Sequence, residues 1–439
     1  MFLHFINKII KSNFLKESFI YGLSSALSKF SVFFTIPIYT RYLTVEEFGL
    51  LDLYITISMI LYIVLEMQMQ SGFMRSYYEK QKENKLDELL GTVLKYYFIV
   101  FGFFISFVMG LLLLDIKSKY LLFEYLLPIV LFILPKQIFD LNNIMMRMEH
   151  QAKKFLLFNV SYVFSIALLG IFLVVFVQSS VEMILWSMAI GNIVFGIIAF
   201  RNLIKHIPLK LNLFHFKEVF YYGAPIVPAV IGGWAMSAIG RFIIAENMTL
   251  EYLGIYSLAL KIGMIFLIFV EAFRLTWSPF VVKKYGDSNA IEVFAKALNY
   301  YVFIGLAIVA LIYLSSPLLI KILASDKYIS VLEIIPILLM AYFWQGAINI
   351  IAVGNGWVRK TYLNSIGSLS GGIFVLLITY YYINLIGIKA AAIGQLIGFI
   401  VSFFVTMYFA QKNINIAYSK YTLIIVIFLT VILIIQEVI

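Results

Sequence analysis

Two lysines, Lys29 and Lys261, lie near the middle of long apolar stretches of the chain. On insertion scales, an ionisable side chain inside a membrane span costs about 2.5–3.5 kcal/mol, so such a residue normally faces a water-filled cavity or a partner. An ammonium group in a cavity of low dielectric constant attracts phosphate strongly. We therefore predict that both lysines bind an anionic ligand. The alternative is that each lysine pairs with a carboxylate and locks two helices together.

Polar residues accompany both lysines at helical spacing. Ser25 lies one turn before Lys29, and Ser257 lies one turn before Lys261, with Tyr256 beside it. A polar stripe of this kind is typical of a helix face that lines a water-filled cavity. We therefore predict that Ser25 and Tyr256 join the two lysines in binding the ligand.

Further charged residues lie at the ends of the apolar stretches, and we predict gate, structural or ion-coupling roles for Arg41, Asp52, Glu66, Arg241 and Glu271. The two arginines are expected either to reach lipid head groups or to form an outer gate with nearby carboxylates. Those carboxylates are Glu46 or Glu47 for Arg41, and Glu246 or Glu251 for Arg241.

Two acid–base pairs have the spacing of neighbours on a helix surface. Asp140 follows Lys136 by four residues, and Arg274 follows Glu271 by three. Both pairs are predicted to form within one helix. Glu66 and Glu271 could instead be gate residues or protonation sites for ion coupling, and gate or structural roles are favoured for both.

The composition excludes a water-soluble protein. The 439 residues are 63% hydrophobic and 13% charged, whereas a soluble domain is nearer half apolar and a quarter charged. Cysteine is absent and the four histidines are far apart, so no disulfide framework and no metal site is predicted. The net charge of +10 does not indicate nucleic-acid binding, because the basic residues lie in loops between apolar stretches, as membrane topology requires.

Twelve apolar stretches have the roughly 20 residues that a membrane-spanning helix needs, and a thirteenth closes the chain. Helices are expected because an open strand edge cannot satisfy its hydrogen bonds in lipid. The predicted spans are 18–42, 46–70, 89–114, 120–146, 154–178, 181–203, 217–244, 251–275, 293–315, 330–353, 361–384, 387–411 and 420–438.

Lysine and arginine are distributed unequally between the two sides of these spans. Of the 33 residues, 22 lie in the loops of one side and seven in those of the other, which places the N-terminus in the cytoplasm. Residues 1–16 have apolar side chains at helical spacing with Lys8 and Lys11 opposite. This pattern predicts an amphipathic helix on the membrane surface, with a frayed tail as the alternative; a cleaved signal peptide is not expected.

The chain repeats its own pattern at an offset of roughly 200 residues. "EEFGLL" (46–51) matches "EYLGIY" (251–256), which aligns Gly49 with Gly254, and a glutamate follows each glycine after 17 residues. "AIGN" (189–192) and "AIGQ" (392–395) match at a similar offset. A duplication of six helices keeps both copies in the same orientation, so two parallel repeats around a central cavity are predicted.

The repeat also sets the predicted domain boundaries. Residues 1–16 form the amphipathic segment, and residues 17–203 form an N-lobe of six helices. Residues 204–216 are the cytoplasmic linker to a C-lobe of six helices, residues 217–411. Residues 412–439 contain the extra apolar helix.

Two long segments resemble a known family. They are "SFIYGLSSALSKFSVFFTIPIYTRYLTVEEFGLLDLY" near the start and "FYYGAPIVPAVIGGWAMSAIGRFIIAENMTLEYLGIYSLALKIG" in the second half, and "EAFRLTWSPFVVKKY" (271–285) has the same character. They resemble the multidrug/oligosaccharidyl-lipid/polysaccharide exporter superfamily. Within it the chain is most similar to the O-antigen and capsular repeat-unit flippases of the polysaccharide biosynthesis family.

This resemblance implies an all-α polytopic membrane protein of about 12 spans, or 13–14, in two six-helix lobes. It implies a flippase that carries an undecaprenyl-diphosphate-linked oligosaccharide from the inner to the outer leaflet of a bacterial cytoplasmic membrane. Lys29 and Lys261 would then bind the diphosphate. The alternatives are a cation-coupled multidrug antiporter and a membrane polysaccharide polymerase or ligase, although the chain lacks the long outer loop of the latter.

Several expectations about cofactors and partners follow. No cofactor is expected beyond a proton or sodium gradient, and the protein is not expected to be an enzyme. The expected partners are the lipid-linked oligosaccharide, membrane lipid and other polysaccharide assembly proteins, without nucleic acid.

Overall fold

The computed structural model describes residues 13–113, 122–204, 212–284, 287, 290–358 and 360–438. Within these ranges the chain is helical and has no β-strand. The α-helices are α1 (Asn13–Tyr42), α2 (Val45–Glu66), α3 (Met69–Lys82), α4 (Leu86–Leu113), α5 (Phe123–Met148), α6 (Ala152–Phe176), α7 (Val181–Leu203), α8 (Leu213–Gly223), α9 (Val227–Asn247), α10 (Leu250–Lys283), α11 (Ala290–Leu323), α12 (Ile335–Ile351), α13 (Val353–Trp357), α14 (Leu363–Ile386), α15 (Lys389–Asn413) and α16 (Lys420–Val438). Two 3₁₀ segments, Ala224–Ile226 and Asp326–Glu333, connect α8 to α9 and α11 to α12.

Twelve helical segments of the described chain are long and apolar enough to cross a membrane. They include the C-terminal segment Lys420–Glu437, and they treat α8 with α9, and α12 with α13, as single spans. Helix α1 is not among the twelve, although its 30 residues extend about 45 Å at 1.5 Å per residue. The all-α, multi-pass membrane protein expected from composition is confirmed.

The chain divides into two compact units. Unit 1 comprises residues 1–42 and 54–227, and unit 2 comprises residues 43–53 and 228–439. The division falls at Val227 rather than in the predicted linker 204–216, of which residues 205–211 lie outside the described part. Helix α2 belongs to both units, because its first turns, through Leu53, are in unit 2.

Each unit has its own buried core. In unit 1, α1 packs on α6, α5 packs on α7, and the core includes Phe73, Tyr97 and Phe139. In unit 2, α12 packs against α10 and α15, and its Trp344 is fully buried. A helix that is apolar on all sides is expected at the centre of such a bundle.

The junction that begins α2 follows directly from its sequence. The hydroxyl of Thr44 accepts the backbone N–H of Glu47 at 3.1 Å, and the carboxylate of Glu47 accepts the backbone N–H of Thr44 at 2.8 Å. This reciprocal arrangement is a capping box, which satisfies two backbone donors at the helix start. Glu47 therefore has a local structural role.

The predicted span 46–70 is wrong at its C-terminal end. Helix α2 stops at Glu66, and Met67 and Gln68 have φ of 50° and 55°. This left-handed conformation is uncommon for residues other than glycine, and neither glycine nor proline marks the break in the sequence. The chain then forms α3 across most of the predicted loop 72–88.

The seventh predicted span, 217–244, is not one continuous α-helix. Pro225 lies within the 3₁₀ segment Ala224–Ile226, and Pro228 is the second residue of α9. Each proline removes a backbone donor from the helical ladder. Two other spans are longer than predicted: α10 continues to Lys283 and α11 continues to Leu323. The amphipathic prediction for residues 1–16 falls mostly outside the described residues, and α1 has already begun at Asn13.

An ionic contact holds α3 against α8. Lys80 Nζ lies 3.2 Å from Glu83 and 3.3 Å from Glu218. Burial disfavours the charged ammonium, but hydrogen bonds to these two carboxylates outweigh it and raise the pKa of Lys80 above its ordinary value. The backbones of α3 and α8 also approach closely here. An added Cβ on Gly72 would meet the carbonyl oxygen of Val219.

Candidate functional site

A buried carboxylate, Asp52, is the centre of a charged cluster in unit 2. Its side chain lies on the first half of α2 and the residue is 4% exposed. Asp52 Oδ1 accepts a hydrogen bond from Lys261 Nζ at 2.6 Å. Asp52 Oδ2 accepts from Arg241 Nε at 2.5 Å and from the Ser257 hydroxyl at 2.9 Å. We call these four residues the Asp52 cluster.

Two glycines allow the helices of the cluster to approach. Gly49 of α2 lies against the first turns of α10, and an added Cβ would be 2.5 Å from the carbonyl oxygen of Leu250. Gly254 of α10 lies against the backbone of Val45. Asp52 is one turn beyond Gly49 and Ser257 one turn beyond Gly254, so this contact brings their side chains together.

The matched glycines of the sequence repeat are therefore direct neighbours. Gly49 and Gly254 occupy the same repeat position, and an added Cβ on Gly49 would be 2.6 Å from the backbone nitrogen of Gly254. Asp52 and Ser257 also occupy equivalent positions, and they are joined by a hydrogen bond. The pattern has thus diverged in charge at this position while keeping the close helix contact.

The Asp52 cluster has more positive than negative charge. Arg241 and Lys261 each contribute one positive charge and Asp52 contributes one negative charge. Lys261 also lies over the ring of Phe48, with Nζ 5.4 Å from the centroid, where the ring face attracts a cation. Arg241 donates in addition to the backbone carbonyl of Ser237. Because the lysine side chain keeps 17% of its accessibility, it is the member of the cluster that an anion can approach most readily.

The predicted ligand-binding residues have different environments. Lys261 pairs with a carboxylate, as in the alternative considered for it. Lys29 is half-buried and Ser25 is exposed on α1. Tyr256 is 1% exposed and its hydroxyl hydrogen-bonds to Gln395 at 3.0 Å. The structure therefore places Tyr256 in the helix packing of unit 2 and not on a surface that a ligand reaches.

The predicted gate pairs differ from those observed. Arg241 pairs with Asp52 and not with Glu246 or Glu251, which are exposed. Arg41 is exposed at the end of α1. Asp52 itself is deeply buried. Sequence reasoning missed its pairing, because no local pattern connects Asp52 with Arg241, 189 residues further along the chain.

Both pairs predicted within one helix are present. Lys136 Nζ lies 2.5 Å from Asp140 Oδ1. Arg274 Nη2 lies 2.7 Å from Glu271 Oε2, on a partly exposed surface of α10. Glu271 is thereby neutralised by a neighbour on its own helix, as its spacing predicts.

A second polar group surrounds Glu66 in unit 1. Glu66 is 2% exposed, and its Oε1 accepts the backbone N–H of Gln70 at 2.7 Å and the hydroxyl of Tyr97 at 3.3 Å. Gln70 Nε2 donates to the Tyr62 hydroxyl at 3.0 Å, and that hydroxyl donates to Asp140 Oδ2 at 2.7 Å. We call these residues, with Lys136, the Glu66 network.

The described residues contain no cluster of three or more acidic, histidine or cysteine side chains that could hold a metal ion. The Asp52 cluster and the Glu66 network can instead interact with charged ligands or ions. The Asp52 cluster offers two cations to an anion, and the Glu66 network holds two carboxyl groups against a single lysine.

Comparison with known proteins shows which family and which solved structures this chain resembles. A family model described as "Polysaccharide biosynthesis protein" matches residues 38–333, more than half of the chain. A search of curated proteins finds no match.

Solved structures share the fold at low sequence identity. An inward-facing multidrug resistance MATE family transporter of the MOP superfamily is 14% identical, with a TM-score of 0.74 over 89% of this chain and 94% of that one. The lipid II flippase MurJ, in an inward closed conformation, is 15% identical, with a TM-score of 0.67 over 95% of this chain and 92% of that one. An outward-facing MATE transporter is also 14% identical, with a TM-score of 0.61 over 92% of this chain and 97% of that one.

Proposed function

Because the chain belongs to the polysaccharide biosynthesis protein family, we propose that it is a flippase for an undecaprenyl-diphosphate-linked oligosaccharide repeat unit. It moves this unit from the inner to the outer leaflet by alternating access between two lobes. The fold it shares with the lipid II flippase supports a lipid-linked substrate. The polyprenyl tail stays in the bilayer while the sugars and the diphosphate cross through the protein.

The observation that carries this proposal is the surplus positive charge of the Asp52 cluster. Lys261 and Arg241 converge on one carboxylate, so the cluster can attract a second anion. A diphosphate would satisfy the remaining ammonium donors, because an ammonium has three hydrogens for hydrogen bonding. Asp52 then has a holding role: it keeps the two cations in place when no diphosphate is bound.

Lys29 and Ser25 of α1 are also proposed to bind the substrate. Lys29 is half-buried and Ser25 is one turn away on α1. Asn159 Nδ2 donates to Ser24 and Ser28 at 2.9 and 2.8 Å, which fixes the neighbouring face of α1 against α6. The orientation of α1 leaves Ser25 exposed.

The lysines provide a direct test in cells. Lys261→Ala and Lys29→Ala are each expected to reduce surface glycan by at least about tenfold, the equivalent of 1.4 kcal/mol, while membrane levels of the protein stay unchanged. Lys261→Arg should retain more export, because it keeps the charge. Surface glycan and the accumulated lipid-linked unit are measured in a deletion strain that carries each variant.

A control variant at an exposed lysine distinguishes the effect of losing Lys29 or Lys261 from the effect of losing any lysine. Lys296 forms an exposed pair with Glu292 on α11, so Lys296→Ala should leave glycan export intact. Normal export by both Lys29→Ala and Lys261→Ala would refute the role of these lysines. Normal surface glycan in the deletion strain itself would refute the proposed function.

A cation-coupled multidrug antiporter is the second candidate. It is favoured by the buried acidic residue Glu66, because an antiporter needs carboxyl groups that exchange a cation. It also fits the similarity in fold to the MATE transporters. Accumulation of a cationic dye in the deletion strain, with unchanged surface glycan, would favour this candidate.

We further propose a bacterial cytoplasmic membrane location with a cytoplasmic N-terminus, and other polysaccharide assembly proteins as partners. Because the chain has no cysteine, single cysteines can report its topology. Glu46→Cys should react with a membrane-impermeant maleimide in intact cells, since it lies at a predicted outer loop. Lys85→Cys should react only after permeabilisation, and labelling of Lys85→Cys in intact cells would contradict this orientation.

A further inference from the structure

Glu66 is a buried carboxyl group without a basic partner among the described residues. Its neighbours are the backbone N–H of Gln70, the hydroxyl of Tyr97 and, at 3.5 Å, the amide of Gln68. An ionised carboxylate that lacks a cationic partner is costly when it is buried inside a protein. Such a group therefore carries a proton or binds a cation during part of its cycle.

The nearby lysine does not compensate Glu66. Lys136 lies 2.5 Å from Asp140 and also faces the rings of Phe139 and Tyr162, at 5.1 and 5.5 Å. Its charge is therefore matched by Asp140. The Glu66 network holds two carboxyl groups and one ammonium, and Glu66 is the carboxyl that remains.

The second repeat contains a natural comparison. Glu271 occupies the position that corresponds to Glu66, and Arg274 neutralises it from three residues further along. The residue three positions after Glu66 is Met69. The same repeat position thus holds a carboxylate paired with an arginine in one repeat and, among the described residues, a carboxyl without a cationic partner in the other.

The groups around Glu66 favour a proton over a metal cation. They present N–H and O–H hydrogens to its oxygens, whereas sodium and similar ions need several oxygen lone pairs directed at one point. The titratable groups of the neighbourhood are Tyr62 on α2, Tyr96 and Tyr97 on α4, and Asp140 and Lys136 on α5.

From this geometry we infer that Glu66 is a proton-binding site that takes up and releases one proton during the transport cycle. Proton binding itself is independent of the substrate, whereas its coupling to transport rests on the proposed function. This step involves no oxidation or reduction. The proton exchanges with water when Glu66 becomes accessible to it.

The position of Glu66 links its charge to a bend in the chain. Glu66 ends α2, Met67 and Gln68 form the left-handed break, and Glu66 Oε1 accepts an N–H from the first turn of α3. A negative charge stabilises a helix N-terminus. Neutralising Glu66 weakens this cap and so loosens the junction between α2 and α3.

Infrared difference spectroscopy tests the inference without any substrate. The purified full chain in liposomes is taken through a pH step, and the C=O stretching band of a protonated carboxyl is recorded. Wild-type protein should show a band that Glu66→Gln removes and Glu271→Gln retains. Glutamine keeps an acceptor for Gln70 and Tyr97, so the fold should persist.

Other outcomes decide the question as clearly. Glu66→Asp should keep the band and shift its frequency. This variant also tests the inference if Glu66→Gln does not fold. An identical band in wild type, Glu66→Gln and Glu66→Asp would overturn the inference. A band that disappears at constant pH when KCl is replaced by NaCl would assign the site to sodium and would also overturn it. Loss of surface glycan plays no part in these readouts, so failure of the proposed function is distinguishable.

Discussion

Replacement of Asp52 by alanine is expected to lower the free energy of unfolding by about 3–5 kcal/mol, the usual cost of breaking a buried ion pair by removing one partner. The change leaves Arg241 and Lys261 as two adjacent positive charges in the interior of unit 2. It also removes the acceptor of the Ser257 hydroxyl. Thermal unfolding of the purified protein in detergent measures the effect.

A matched acidic residue provides the control for this experiment. Glu46 is exposed in the first turn of the same helix, and Glu46→Ala should change stability by no more than about 0.5 kcal/mol. The double variant Asp52→Ala/Lys261→Ala should be less destabilised than the sum of its single variants, because it removes a charge together with its partner. Additive effects would show that Asp52 and Lys261 do not interact.

Gly254→Ala is the second change with a large expected effect. The added Cβ would overlap the backbone at Val45, and a backbone atom cannot move aside as a flexible side chain can. We expect a loss of about 1–3 kcal/mol, the usual cost of overpacking, together with loss of export. Separation of α2 from α10 would also displace Asp52 from Lys261.

The chain offers a control for this substitution as well. An added Cβ on Gly233 of α9 would meet no atom within 4 Å, so Gly233→Ala should be neutral or slightly stabilising through helix propensity. Gly49→Ala, at the matched repeat position, should resemble Gly254→Ala. Equal stability and export for Gly254→Ala and Gly233→Ala would contradict the close contact between the helices.

The spans and the local pairs could be predicted because they depend on short-range chemistry. Length and apolarity define the spans, and the pairs Lys136–Asp140 and Glu271–Arg274 depend on helical spacing alone. The capping box at Thr44 and Glu47 has the same short-range basis, although Glu47 was predicted only as a possible gate partner of Arg41. The 3₁₀ segment that contains Pro225 also has a local cause, the missing backbone donor of proline.

The Asp52 cluster could be predicted only in part. Asp52 and Arg241 are 189 residues apart, and no local pattern connects them. The repeat aligned Gly49 with Gly254, but only the structure shows that the two glycines touch. This contact is what turns Lys261 from an isolated membrane lysine into the partner of Asp52.

The break after Glu66 was beyond sequence reasoning. Met67 and Gln68 adopt left-handed backbone angles, a conformation for which their side chains have no preference. The surrounding structure imposes it, since α8 packs on this segment: an added Cβ on Gly223 would meet the carbonyl oxygen of Gln68. The predicted span therefore continued through a junction that the sequence does not mark.

Translocation by the purified protein tests the proposed function most directly. Vesicles are prepared with an undecaprenyl-diphosphate-linked oligosaccharide in both leaflets, and a membrane-impermeant glycosidase digests the sugars that face outward. Vesicles that contain the wild-type chain should lose glycan from the inner leaflet as well, and the Lys261→Ala chain should slow that loss. Digestion confined to the outer-leaflet share, as in protein-free vesicles, would contradict the account.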